Sequence, residues 1–212
     1  AKKSFSFDQL MSHVETYMNY LLSQKAKLAD TLLIDHINTI DRVLDTYVQR
    51  KFIDKVTKDP DTLHTEALFQ VNVNKRPNLE YYKNNCISFF VPAAIAALTI
   101  LVKDAFQFSA SDLHADYNFL QYFFKYEFAY DVDMTPESFV RKNLKAFIDE
   151  AILMPHPKLP DTYNLTSSGF RKLQLFSRFL KPYFESYWIV LNYFMKHPQN
   201  SIKAKERLKK IE

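Results

Sequence analysis

The chain has 212 residues, 47% of them hydrophobic and 16% aromatic, enough apolar content for one or two cores of ordinary domain size. Its only glycine is Gly169, which excludes the Walker and Rossmann classes, whose loops need several glycines so that backbone can approach a phosphate. One cysteine, Cys86, excludes an internal disulfide and a cysteine metal cluster, and the formal net charge is only +4.

The first predicted helix covers residues 7–25. Ser6 and Gln9 stand at capping-box spacing, and Leu10, Val14, Tyr17 and Leu21 share one face. A second helix is predicted over 30–51, with Ile37, Ile40, Val43, Leu44 and Tyr47 at helical intervals. Residues 52–57 and 68–73 then alternate apolar and polar side chains around Asp59-Pro60-Asp61, which reads as a short hairpin. A long helix over 78–104 follows, expected to kink or break at Pro92, whose ring nitrogen has no proton to donate.

Within that helix, residues 86–102 carry no charge. The run is shorter than the ~20 apolar residues that span a bilayer core, so a buried core helix is the better reading. Cys86 then reads as a small buried hydrophobe.

The second half repeats the first. Ser109 or Ser111 opens a helix carrying Leu113, Tyr117, Leu120 and Phe124. Thr135 is an N-cap with Pro136 at the first helical position, and that helix runs to about residue 150. Residues 151–154 and 162–165 form a second hairpin around Pro155, Pro157 and Pro160. Thr166 or Ser167 caps a last long helix bearing Phe170, Leu173, Phe176, Leu180, Phe184, Trp188 and Leu191, with Pro182 inside it. The fold class expected is mainly α: a helical bundle with two short β-hairpins in two winged-helix-like halves, 1–104 and 105–212.

A winged-helix-like shape raises nucleic-acid binding, but the charges oppose it. The candidate recognition helix, residues 35–51, sets Asp35, Asp41 and Asp45 against Arg42, Arg50 and Lys51, and the first turn adds Asp59, Asp61 and Glu66. Without a basic face there is little phosphate affinity, so protein packing is the favoured use. The consecutive Tyr122, Phe123 and Phe124 cannot all face one core, so part of this aromatic cluster should be exposed or meet another domain.

Basic residues gather at the end. From Lys196 to Glu212 six lysines and arginines face two glutamates, so Lys203, Lys205, Arg207, Lys209 and Lys210 are a candidate contact for an anionic membrane surface. The alternative is a solvated helix. The chain opens on Ala1-Lys2-Lys3-Ser4 without a signal-peptide apolar region, and it reads as excised from something longer.

Tyr81-Tyr82-Lys83-Asn84-Asn85, running into an apolar, proline-containing helix, resembles the "YYRNN" segment of membrane-associated bacterial glycerol-3-phosphate acyltransferases. In that family the segment lies downstream of the acyltransferase domain, and Lys83 stands where the family usually has arginine. Matches run in the same order on both sides: Phe5-Ser6-Phe7-Asp8-Gln9-Leu10 resembles a helix start, Ile34-Asp35-His36 a helix before a short strand, Leu120 to Phe128 a later helix, and Ser168 to Trp188 the last one. The resemblance implies an accessory or regulatory region of a glycerol-3-phosphate 1-O-acyltransferase of phospholipid biosynthesis. It also implies that the acyltransferase domain of the same parent is its partner, that acyl-CoA or acyl carrier protein is met only through that parent, and that the parent works at the cytoplasmic face of the membrane.

The resemblance brings no chemistry to this segment. The family's His-x-x-x-x-Asp motif, whose histidine is the general base, lies upstream. His36 and Asp41 fit the spacing but fall inside a predicted amphipathic helix, where positions five apart diverge and no glycine lets a phosphate approach. His114 and Asp116 diverge in the same way, so no metal site is expected there. No catalytic residue and no cofactor is assigned. Tyr81, Tyr82, Lys83, Asn84 and Asn85 are expected to form a structural junction or interface in a soluble fragment, with the two asparagine amides satisfying backbone groups at a helix start. The alternative function is a winged-helix-like adaptor for protein or nucleic acid.

Overall fold

The computed structural model describes residues 4–56 and 67–196. Strand β1 (Ser4–Ser6) leads directly into helix α1 (Phe7–Ser23), whose capping box is formed as its sequence demands: the Gln9 amide donates to Ser6 Oγ and the Ser6 amide donates to Gln9 Oε1, both at 3.2 Å. The single second helix expected over 30–51 is two, α2 (Asp30–Ile34) and α3 (His36–Gln49). Asp35 breaks them apart because its carboxylate accepts the Asn38 amide at 3.1 Å, an N-cap bond that needs extended backbone at Asp35.

Strands β2 (Ile53–Lys55) and β3 (Leu68–Val71) pair antiparallel, and β1 adds to the other edge of β3, giving the order β1-β3-β2. The same order recurs downstream: β4 (Gln107–Ser109), α6 (Ser111–Phe123), α7 (Pro136–Asp149), β5 (Leu153–Pro155) and β6 (Thr162–Leu165) build a sheet ordered β4-β6-β5. In both sheets the last strand is the central one.

Between the sheets lie α4 (Arg76–Asn84) and α5 (Ile87–Val102), and the chain bends by 92° between them. The break falls at Asn85 and Cys86, not at Pro92, which α5 accommodates in its second turn. Three short-range bonds take the corner: the Asn85 amide to Tyr82 O, the Cys86 amide to Lys83 O and the Phe89 amide to Cys86 O, each 3.2 Å. The turn is required by solvation. Helix α4 has no buried residue, whereas Ala93, Ala94, Ile95, Ala96 and Ala97 of α5 are fully buried in succession, so the middle of α5 is enclosed on every side.

Helix α5 is the axle of the larger core, with α6, α7 and α8 (Ser167–Ser177) against it. The last long helix expected from the sequence is also divided, into α8 and α9 (Lys181–Lys196), and Pro182 sits at the second position of α9, where its missing N–H costs nothing. A smaller core of Phe7, Met11, Leu44, Ile53, Ala67 and Phe69 lies under the first sheet. Helix α1 serves both: Phe7 and Met11 point into the small core, while Tyr17 and Tyr20 pack on Phe90 and Phe176 in the large one.

The lone glycine belongs to packing. The Gly169 amide donates to the Thr166 cap at 2.9 Å, while Thr166 Oγ1 donates to Ala151 O at 2.9 Å. A methyl group on Gly169 would press into the Ile152 carbonyl and come within 2.7 Å of Thr166 Oγ1.

Candidate functional site

The tyrosines of the Tyr81-Tyr82-Lys83-Asn84-Asn85 segment face solvent, with Tyr81 68% exposed and edge-on to Tyr82 at 6.1 Å. Asn84 ends α4 and Asn85 is its C-cap, immediately before the Cys86 N-cap of α5; both are exposed, and no side chain caps the start of α5. Cys86 is exposed as well, which corrects its reading as a buried hydrophobe; its Sγ donates to Lys83 O at 3.2 Å. Partial burial pushes its thiol above the usual range, which the backbone bond and Lys83 oppose.

Lys83 alone of the five turns inward. It pairs with Glu80, which also holds Arg76 at 3.6 Å, on the wall of a cleft of about 470 Å³. The opposite wall comes from the α8–α9 corner: Arg178, Lys181 and Glu185, the last two 3.4 Å apart, with Tyr17 and Phe179 at the apolar floor. Four cations thus face two carboxylates. Arg178 has no carboxylate partner among the described residues, although its charge, after burial, holds the His13 imidazole below its ordinary range.

Arg178 and Leu175 also line a second, larger hollow between α1 and α8, with Asp8, His13, Arg171 and Lys172 on its sides. Arg178 is the C-cap of α8 and keeps helical backbone, so it falls on the same face as Arg171 seven residues earlier, and it lines both hollows, the first of which also has Lys83 on its wall. Sequence reasoning singled out Lys83 and missed the rest. Only the fold brings α4 to the α8–α9 corner, and the charge spacing along α8 and α9 looks like that of any solvated helix.

A second feature is apolar. Phe119 and Phe123 of α6 stack at 6.1 Å, and Phe123 continues onto Phe184 at 6.0 Å and Tyr187 at 5.1 Å on α9. Phe119 on α6 and Trp188 and Leu191 on α9 are each more than half exposed. Lys125 Nζ lies 3.8 Å from the Tyr122 ring centre and 4.8 Å from that of Tyr126. Phe124, by contrast, is fully buried, so the consecutive aromatics divide between core and surface as their spacing required.

The remaining candidates lie elsewhere. His36 begins α3 with Nε2 3.7 Å from Glu15 of α1, and Asp41 follows on the same helix. Asp116 pairs with Lys103 at 2.9 Å, which turns it to a different neighbour from His114. Lys203, Lys205, Arg207, Lys209 and Lys210 lie outside the described residues, as do Asp59-Pro60-Asp61 and Glu66. Among the described residues no single helix is long and apolar enough to cross a membrane; only a bent pair, residues 73–84 with α5, passes by length and composition.

No curated protein and no solved structure matches the chain. Residues 1–212 match the family described as the glycerol-3-phosphate acyltransferase C-terminal region, in agreement with the resemblance read from the Tyr81–Asn85 segment and its neighbours. The chain therefore belongs to the glycerol-3-phosphate acyltransferase C-terminal region family.

Proposed function

We propose that this chain is the accessory helical region of a glycerol-3-phosphate 1-O-acyltransferase of phospholipid biosynthesis, and that it packs against the acyltransferase domain of the same parent protein at the membrane's cytoplasmic face. The acid-base chemistry, and the acyl-CoA or acyl carrier protein donor, belong to that domain. In a chain of this family, the observation that carries the reading is the exposed aromatic surface of α6 and α9. Ring contacts join Phe119, Phe123, Phe184 and Tyr187, and Trp188 and Leu191 stand exposed on the same helix α9. Contiguous aromatic surface of this kind is the usual core of a protein interface.

The test is a pair of charge substitutions, Phe119→Glu with Trp188→Glu. In the full-length parent they should lower acylation of glycerol-3-phosphate and expose the junction to limited proteolysis. In the isolated chain they should leave the melting temperature unchanged. Acylation by the isolated chain, abolished by His36→Ala, would overturn the reading.

A second reading, a winged-helix-like adaptor, is favoured by the repeated strand, helices and hairpin with the last strand central. A parent gene with no upstream His-x-x-x-x-Asp segment would select it.

A further inference from the structure

We infer that the cleft between α4 and the α8–α9 corner binds a phosphate group, carried either on a lipid headgroup or on a soluble phosphate ester, at a site separate from the acyltransfer chemistry. Four cations, Arg76 and Lys83 on α4, Arg178 at the C-cap of α8 and Lys181 at the start of α9, line about 470 Å³, a volume suited to a small ligand. The two carboxylates are spoken for: Glu80 bridges Arg76 and Lys83, and Glu185 pairs with Lys181. They hold the long side chains in place and leave an excess of positive charge at the centre.

That excess is concentrated on Arg178. Its guanidinium has no carboxylate partner among the described residues, and its planar fork matches two oxygens of one phosphate. Arg171, seven residues away on the same face, extends the positive field along the neighbouring hollow. A compact dianion needs only the central cations, whereas an extended acidic peptide would also run against Glu80, Glu185 and Asp8. The Tyr17 and Phe179 floor adds apolar surface for whatever the phosphate is attached to.

The experiment uses the 212-residue chain. Calorimetric titration with inorganic phosphate probes the soluble source, and co-sedimentation with phosphatidylcholine vesicles, with and without an equal part of phosphatidic acid, probes the lipid source. Saturable binding in either arm is expected, with Arg178→Gln raising the dissociation constant about tenfold or more, the value of one charge-assisted hydrogen bond. Arg178 is exposed, so the variant should keep the wild-type melting temperature; should it not fold, Lys181→Gln carries the same expectation. Arg141→Gln, which removes a cation outside the cleft, should bind as wild type. Absence of saturable binding in both arms, binding equally strong in the Arg178 and Lys181 variants, or binding only to an oligoglutamate peptide overturns the inference. Because acylation is not measured, failure here leaves the accessory-region reading to its own test.

Discussion

The Tyr20 hydroxyl donates a 3.0 Å hydrogen bond to Asn143 Oδ1, joining α1 to α7 through the interior across 123 positions of sequence. Asn143 in turn donates from Nδ2 to Phe139 O at 2.8 Å, so both polar ends of this buried amide are satisfied. The bond ties the first helix to the larger core at a point where aromatic packing alone, Tyr20 against Phe90 and Phe176, would leave the amide oxygen unpaired.

Tyr20→Phe keeps the ring and removes only the donor, stranding a buried carbonyl oxygen. It should destabilise the chain by about 1–3 kcal/mol in urea unfolding. Combined with Asn143→Leu the losses should be non-additive, with a coupling of at least about 0.5 kcal/mol. Additive losses would mean that the two side chains do not interact in solution.

Alkaline pH should unfold the protein through its buried phenols. Burial raises Tyr20 and Tyr117 well above the ordinary value of 10.0, so the folded state keeps protons that the unfolded chain gives up. Above about pH 10 the unfolded state binds fewer protons, and stability falls as pH rises, by up to ~1.4 kcal/mol per pH unit for each tyrosine. Denaturation midpoints should be flat from these groups below about pH 9 and drop beyond it, with a shallower slope in Tyr117→Phe.

Gly169→Ala should be among the more damaging single-methyl changes, since the added carbon meets the Ile152 carbonyl and the Thr166 cap. Relieving the clash requires α8 to lift from β5 or Thr166 to abandon its bonds, a cost of about 1–3 kcal/mol by thermal melting. Unchanged stability would show that the α8 start is loosely held.

Asn84→Leu and Asn85→Leu should each change the isolated chain's stability by less than about 0.5 kcal/mol, because both side chains are exposed. A larger loss would need a buried side chain bonded to backbone, and neither asparagine is buried. A loss above about 1 kcal/mol would place these amides in a buried bond after all.

Helix positions were legible wherever a cap or a continuous apolar face announces them: Ser6 with Gln9, Thr135 with Pro136, and the run through Ala93–Ala97. Breaks were not. Asp35, Asn85 and Arg178 to Leu180 interrupt apolar periodicities that continue across them, so sequence alone read one helix where there are two. The outer strands β1 and β4 are three residues each, too short for alternation to show, and they exist because a central strand offers them an edge. The basic cleft was the least legible feature. Lys83 and Arg178 are 95 positions apart, and only the right-angled turn at Asn85 brings α4 against the end of α8.

Trp188 is the chain's only tryptophan, and it stands on the exposed α9 surface, outside both cores. The protein consequently carries one indole, and when it is excited selectively, at wavelengths beyond tyrosine absorption, its emission is blind to the interior. Its emission should be solvent-red and readily quenched by acrylamide in the isolated chain, and should change little as the aromatic core melts. Any blue shift would report a surface being covered, so the fold has placed its optical reporter where docking, and not folding, is recorded.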